Sequence, residues 1–303
     1  MDTQAAFPRG ARRAVLSLLL GGAVAPLGIA QHTETVLLGE PSAAGLEVPA
    51  ERQAVHPVTA PYFHEDSFVT TDLRAWHVRH NFPGNLNGGH ATVVAVQARA
   101  ALTESIQLVA YKDGFVDFND GLVNDDGMND IAAGIKWAFL QDWETDTHAA
   151  VGAGYEIGAG DEEVLQGDDE VRIWGSFNKG FDRLHVGATV NFFMPVGSED
   201  AFGDSDRLSW HLHADYHVNE MFSPVVEVNG YQTLSNGDVV TPFSGVDVAN
   251  LGGNEDEDVI TAGYGFEVRP VEGLAVRAAH ESPLTDNVDL FGHRWTLSAV
   301  WSF

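Results

Sequence analysis

His211, His213, Asp215 and His217 stand at alternate positions. In an extended strand successive side chains point to opposite faces, so these four share one side. His211 and His213 are then an H-x-H pair of the kind that can hold one metal ion, with His185 and Glu227 as further ligands from neighbouring segments. The plainer reading is a polar lining, and no metal site is assigned. Ser209 and Ser298 fall on similar polar faces and His293 lies near a segment end. No serine activated by a histidine near a lipid boundary is recognisable, so no catalytic residue is expected and the chain is not read as an enzyme.

The same alternation gathers charges. The polar sides carry Arg79, Arg99, Lys136, Arg172, Arg277 and Arg294, against Glu156, Asp215, Glu227 and Glu267. Side chains of both signs on inward faces would line a narrow channel for small solutes or fill a closed interior with ion pairs.

These residues fall in short segments of period two, at 70–82, 89–102, 106–115, 129–140, 147–159, 169–180, 183–194, 207–218, 222–233, 258–269, 273–281 and 293–303. In the last, Trp295, Leu297, Ala299, Trp301 and Phe303 share one face. Short connections such as 103–105 and 270–272 alternate with longer ones, up to 234–257. That alternation is the pattern of an up-and-down membrane barrel and not of a Greek-key sandwich. The fold expected is all-β: a transmembrane antiparallel barrel of about 12 strands over 70–303, its apolar sides facing lipid. Trp76, Trp137, Trp210, Trp295, Trp301, Tyr155 and Tyr216 are the expected interfacial aromatics. A terminal aromatic, Phe303, on the lipid face resembles the signal read by the bacterial barrel-assembly machinery.

Composition agrees. The 303 residues carry a formal charge of −28 and no cysteine. Zero cysteine excludes disulfides and thiol chemistry, and the acidity excludes a nucleic-acid partner. A hydrophobic content of 44% excludes disorder. Residues 1–30, with Arg9, Arg12 and Arg13 before the apolar stretch Ala14–Leu27, read as a cleavable signal peptide for export to the bacterial outer membrane. Residues 31–69, rich in proline and without periodicity, read as a periplasmic leader. The alternative is a partial plug with Tyr62, Phe63 and Phe68 entering the lumen.

Five long loops, 114–128, 161–170, 196–206, 234–258 and 281–292, hold 23 acidic residues and no Lys or Arg. Asp125, Asp126, Asp168, Asp169, Glu255 and Asp256 are the candidates for holding divalent cations loosely against lipopolysaccharide phosphates. No other cofactor is expected. The partners expected are outer-membrane lipids and lipopolysaccharide, the assembly machinery at Phe303, and a small solute of unknown identity.

From Pro61 onward the chain resembles a family of uncharacterised bacterial outer-membrane β-barrels. The resemblance lies in the runs Glu65–Arg74, Gln97–Glu104, Lys112–Gly114 and Gly127–Lys136. More distantly it is similar to outer-membrane barrels of the phenol-degradation pathway, described as transporters. The resemblance implies a barrel and a transport role, and it carries over no catalytic residue. The leading functional reading is a narrow porin-like channel. The alternative is a structural or surface-interaction barrel with a filled lumen and cation-binding acidic loops; a barrel hydrolase comes third.

Overall fold

The computed structural model describes residues 35–86, 88–120, 123–167, 169–196, 205–237, 241–253, 255 and 258–303. The signal-peptide reading of 1–30, and Asp168 and Asp256, lie outside the described residues. The strands are β1 (Asp72–Asn81), β2 (Gly89–Ala101), β3 (Ile106–Lys112), β4 (Phe115–Asp120), β5 (Asp126–Met128), β6 (Ile131–Asp142) and β7 (Thr147–Ile157). They continue as β8 (Glu170–Phe181), β9 (Leu184–Pro195), β10 (Arg207–Tyr216), β11 (Phe222–Thr233), β12 (Val259–Val271), β13 (Leu274–Pro283) and β14 (His293–Ser302).

All pair antiparallel in one sheet, and β1 pairs with both β2 and β14, which closes it. Closure leaves no open edge, as a wall in lipid requires. The fourteen segments make a closed barrel of twelve staves, because β3 with β4 and β5 with β6 are each one stave interrupted halfway. At the first break the Asp113 carboxylate accepts the Val96 N–H at 3.2 Å, replacing a ladder carbonyl. At the second, Asn129 N–H donates to the Gly114 carbonyl at 2.9 Å. The chain thus keeps its backbone satisfied across both interruptions.

The period-two pattern sorts the side chains. On β6, Ile135, Trp137 and Phe139 are exposed on the outer face, whereas Lys136 and Ala138 are buried inside. Trp295, Trp301, Tyr155 and Tyr216 are also exposed outside, where aromatic rings suit the lipid interface. Short turns such as Asp182–Arg183 occupy one end and long loops the other. Asp182 has φ +61°, the left-handed conformation that a tight turn between twisted strands calls for.

Strand β1 departs from expectation. Its inward residues are Asp72, Arg74, Trp76, Val78 and His80, and Arg79 is exposed on the outer face. Residues opposite each other in an antiparallel ladder project to the same side. Arg79 pairs with the outward Trp295, and Trp76 pairs with the inward Ser298. The Trp76 indole donates to Gln97 Oε1 at 3.0 Å inside the lumen, a bond lipid would not offer. Arg79 is therefore not a lumen residue and Trp76 is not an interfacial one. Both faces of 72–81 mix apolar and charged side chains, so periodicity alone could not orient this strand.

The long-loop end is covered from within. The connection after β11 folds inward, and its Phe243, Val248, Ala249 and Leu251 pack with Phe82, Ala91, Val116, Phe118 and Leu290. Asp247 on this loop meets Arg294 of the wall at 2.6 Å and accepts from the Tyr231 hydroxyl at 3.1 Å. Asp289 of the next loop accepts Ser244 N–H and Gly245 N–H at 2.6 and 3.1 Å. Two residues placed in the acidic loops by spacing, Glu170 and Glu281, end up buried on strands, paired with Arg207 and Arg294.

Candidate functional site

The lumen holds the chain's own residues. From Gln53 to Thr70 nearly every residue is buried inside the barrel. The segment is a U whose limbs both reach toward the short-turn end. One limb gives Val55 N–H to Asp215 and Val58 N–H to Glu227, at 3.0 and 2.9 Å. The bend is Ala60–Phe63, where Ala60 adopts φ +49° and its carbonyl accepts from Phe63 and His64 N–H. The other limb descends through Ser67, whose N–H donates to Asn178 Oδ1 at 2.9 Å, to Thr70, bonded by Gln107. His56 Nδ1 and Asp66 Oδ2, 2.6 Å apart, tie limb to limb.

The expected polar faces supply the seat. Arg99 grips Oε1 and Oε2 of Glu65 at 3.2 and 2.6 Å, and Lys136 Nζ meets Oε1 at 2.9 Å. Arg172 donates to the carbonyls of Tyr62 and Phe63 at 2.8 Å each. Asn191 Nδ2 adds a bond to the Phe63 carbonyl at 2.9 Å, and Thr189 and Ser176 donate to the Glu65 carbonyl. The Tyr62 hydroxyl donates to the Asp113 carbonyl at 2.8 Å, at the break in the third stave. Small residues leave room: a Cβ on Gly263 would lie 2.7 Å from Thr59 Cγ2, and one on Gly152 only 2.1 Å from the Trp174 ring.

Glu65 lies in the lumen and not on a spanning strand. Burial opposes its ionisation, but Arg99 and Lys136 together outweigh burial and hold its pKa down to about 2. His64 is held down to about 4, chiefly by burial, with His213 adding to the effect and Glu227 opposing it.

Of the other lumen residues read from sequence, Glu156 pairs with Lys112, Glu267 with Arg277 at 2.7 Å, and Arg294 with Glu281 at 2.8 Å. All are buried on the inner side, with Arg99, Lys136, Arg172, His211, His213, Asp215 and Glu227. The H-x-H pair, His211 and His213, is fully occupied. His211 bonds Ser209 and Asn229, at 2.9 and 2.8 Å. His213 bonds Glu227 and Asp215, at 2.6 and 3.0 Å. Neither ring keeps a free nitrogen for a metal. The Ser209–His211–Asn229 chain has nucleophile–base–orienter spacing, which strand spacing alone did not suggest. It lies under His64, stacked on His211 at 5.0 Å, with no path to lipid.

In the loops, Asp125 Oδ1 accepts the Asp126 N–H, Asp169 Oδ1 accepts Gly158 N–H at 2.7 Å, and Glu255 Oε2 accepts from Asn236 at 2.8 Å. Among the described residues no three His, Asp or Glu side chains converge as a cation site. Sequence reasoning missed Arg74, Glu65 and Asp66. The surplus of inward cations over inward anions was the signal that acidic partners had to come from elsewhere.

No family model matches the chain, and no curated protein matches it. Among solved structures it is similar to the COG4313 outer membrane channel from Pseudomonas putida F1, with 12% identity, a TM-score of 0.58, and coverage of 82% of this chain and 100% of that one. The NanC porin follows at 8% identity and TM-score 0.48, covering 77% of this chain and 99% of that one. The KdgM porin has 9% identity and TM-score 0.47, with the same coverage. At such identities the likeness to the first is one of fold. The chain has the fold of a twelve-stranded outer-membrane β-barrel, with its lumen occupied by residues 53–70.

Proposed function

We propose that this barrel is an outer-membrane channel for small solutes whose resting state is closed by its own luminal segment. The observation that carries this is the chemistry of the inner wall. Where the wall meets the segment it is polar: Gln97, Arg99, Gln107, Lys136, Arg172, Asn178, Asn191 and Glu227 all bond to it. A permanently filled interior is served as well or better by apolar packing, because buried ion pairs carry a desolvation cost. A polar wall is the lining that water and solute need once the segment withdraws. Between the bend and the inward loop, two small adjoining pockets share Tyr62, Lys112, Gln166, Asp247 and Val248.

The outward aromatic and aliphatic belt supports outer-membrane lipid as the surroundings. In this proposal Phe303 addresses the chain to the barrel-assembly machinery, and the exposed loop acids meet lipopolysaccharide through divalent cations. Single-channel recording of the full chain in planar bilayers tests the reading. Discrete openings that become frequent when the segment is loosened are expected. A folded barrel without conductance in every such variant would leave the filled structural barrel as the better account.

A further inference from the structure

Loss of the luminal segment would not affect all wall charges alike. Arg74 keeps Asp72 at 2.8 Å, Arg277 keeps Glu267, Arg294 keeps Glu281, Arg207 keeps Glu170, and Lys112 keeps Glu156. The wall carboxylates Asp215 and Glu227 likewise keep His185 and His213. Three cations stand apart. Among the described residues, the oxygens that Lys136 Nζ meets are Glu65 Oε1, the Asp66 carbonyl and Asp66 Oδ1, all from the segment, at 2.9, 3.1 and 3.6 Å. Arg99 has its close carboxylate contacts on Glu65, with Asp72 at 4.0 Å. Arg172 keeps Asn191 but loses the Tyr62 and Phe63 carbonyls.

We infer that Arg99, Lys136 and Arg172 form a binding site for a small organic carboxylate bearing a second oxygen acceptor, and that Glu65 and its neighbours occupy this site as an internal stand-in for that ligand. The inference rests on the channel reading for the release of the segment. All three cations are buried and all aim donors at oxygens held by a separable stretch of chain. A guanidinium and an ammonium sharing one carboxylate is a strong, oriented anion clamp, and Arg172 adds two parallel donors suited to carbonyl or carboxylate oxygen. A solute with this chemistry competes with Glu65 for the seat, so the ligand itself favours the open state.

The test is calorimetric titration of the folded full chain with succinate, with putrescine as the cationic control. Glu65→Gln removes the internal competitor's charge. It is expected to bind succinate at least tenfold more tightly than the unaltered chain and to give no heat with putrescine. Adding Lys136→Gln is expected to reverse the gain. If that double variant does not show the heat-modifiable mobility of a folded barrel, the putrescine control carries the charge specificity alone. A folded Glu65→Gln chain that binds no succinate, or binds putrescine equally, overturns the site. Recordings on the same preparation separate the two ideas: succinate binding without conductance sinks the channel reading and leaves the site, and conductance without succinate binding does the reverse.

Discussion

Lys136, on β6, gives its ammonium to Glu65, 71 residues earlier in the chain, at 2.9 Å. Among the described residues, every oxygen it meets within ion-pair reach belongs to the luminal segment. A wall cation whose carboxylate partners all sit on one luminal segment shows how tightly the chain fills its own barrel.

Neutralising Glu65 should loosen that closure. Leaving a buried ion pair half made costs about 3–5 kcal/mol. Glu65→Gln is expected to raise the frequency of openings in planar bilayers well above that of the unaltered chain, whereas Glu40→Gln, at an exposed position, is expected to leave it unchanged.

Acid should loosen it too. His64 is stacked on His211 and faces His213 and Glu227, and its pKa is held down to about 4 in the seated state. Released, it titrates near 6.5. The seated state therefore binds fewer protons between those values. Its stability is full above pH 6.5 and falls by about 3 kcal/mol as pH drops through 4. His56, also held below its ordinary value by burial, acts in the same direction. Glu65 stays ionised over this range. Open probability measured from pH 7 to 4 is expected to rise, and His64→Gln to flatten the rise.

Space inside the wall is equally specific. Gly152 accommodates Trp174, and a side chain there meets the ring at 2.1 Å, while nothing lies within 4 Å of a Cβ on Gly175. Gly152→Val is expected to destabilise the barrel by about 1–3 kcal/mol through overpacking. Gly175→Ala is expected to be near neutral, both read from urea unfolding in lipid vesicles.

The inward loop has a latch that can be cut. Asp247 accepts from Arg294 and Tyr231, and Arg294 keeps Glu281 when Asp247 is neutralised. Asp247→Asn is expected to speed amide exchange over 241–253 without changing exchange in β13 or β14. Equal exchange in both proteins would show that the apolar cluster alone holds the loop.

Much of this was legible in the sequence because period two is local. On β10 the alternation Leu208, Trp210, Leu212 against Ser209, His211, His213 gives the correct faces, and loop lengths give the correct number of staves, although 115–120 and 126–128, expected in a loop, extend the third and fourth. β1 was not legible, because Trp76 and Val78 share a face with Asp72 and Arg74, and only pairing with β14 orients it. The luminal segment has no periodicity, and its partners lie far along the chain, as with Thr59 and Glu227, 168 residues apart. Acidic residues counted as loop charge, such as Glu281, proved to be counterions of the wall.

Thr59 and Gly263 give the most direct measurement. A Cβ placed on Gly263 lies 3.7 Å from the Thr59 Cβ, within the range a disulfide spans, and the chain has no cysteine of its own. Single-channel conductance of Thr59→Cys/Gly263→Cys, recorded oxidised and then reduced in the same bilayer, tests whether withdrawal of the segment opens the barrel. The expected result is silence when oxidised and discrete openings after reduction. Equal conductance in the two states, with the disulfide confirmed, would contradict it.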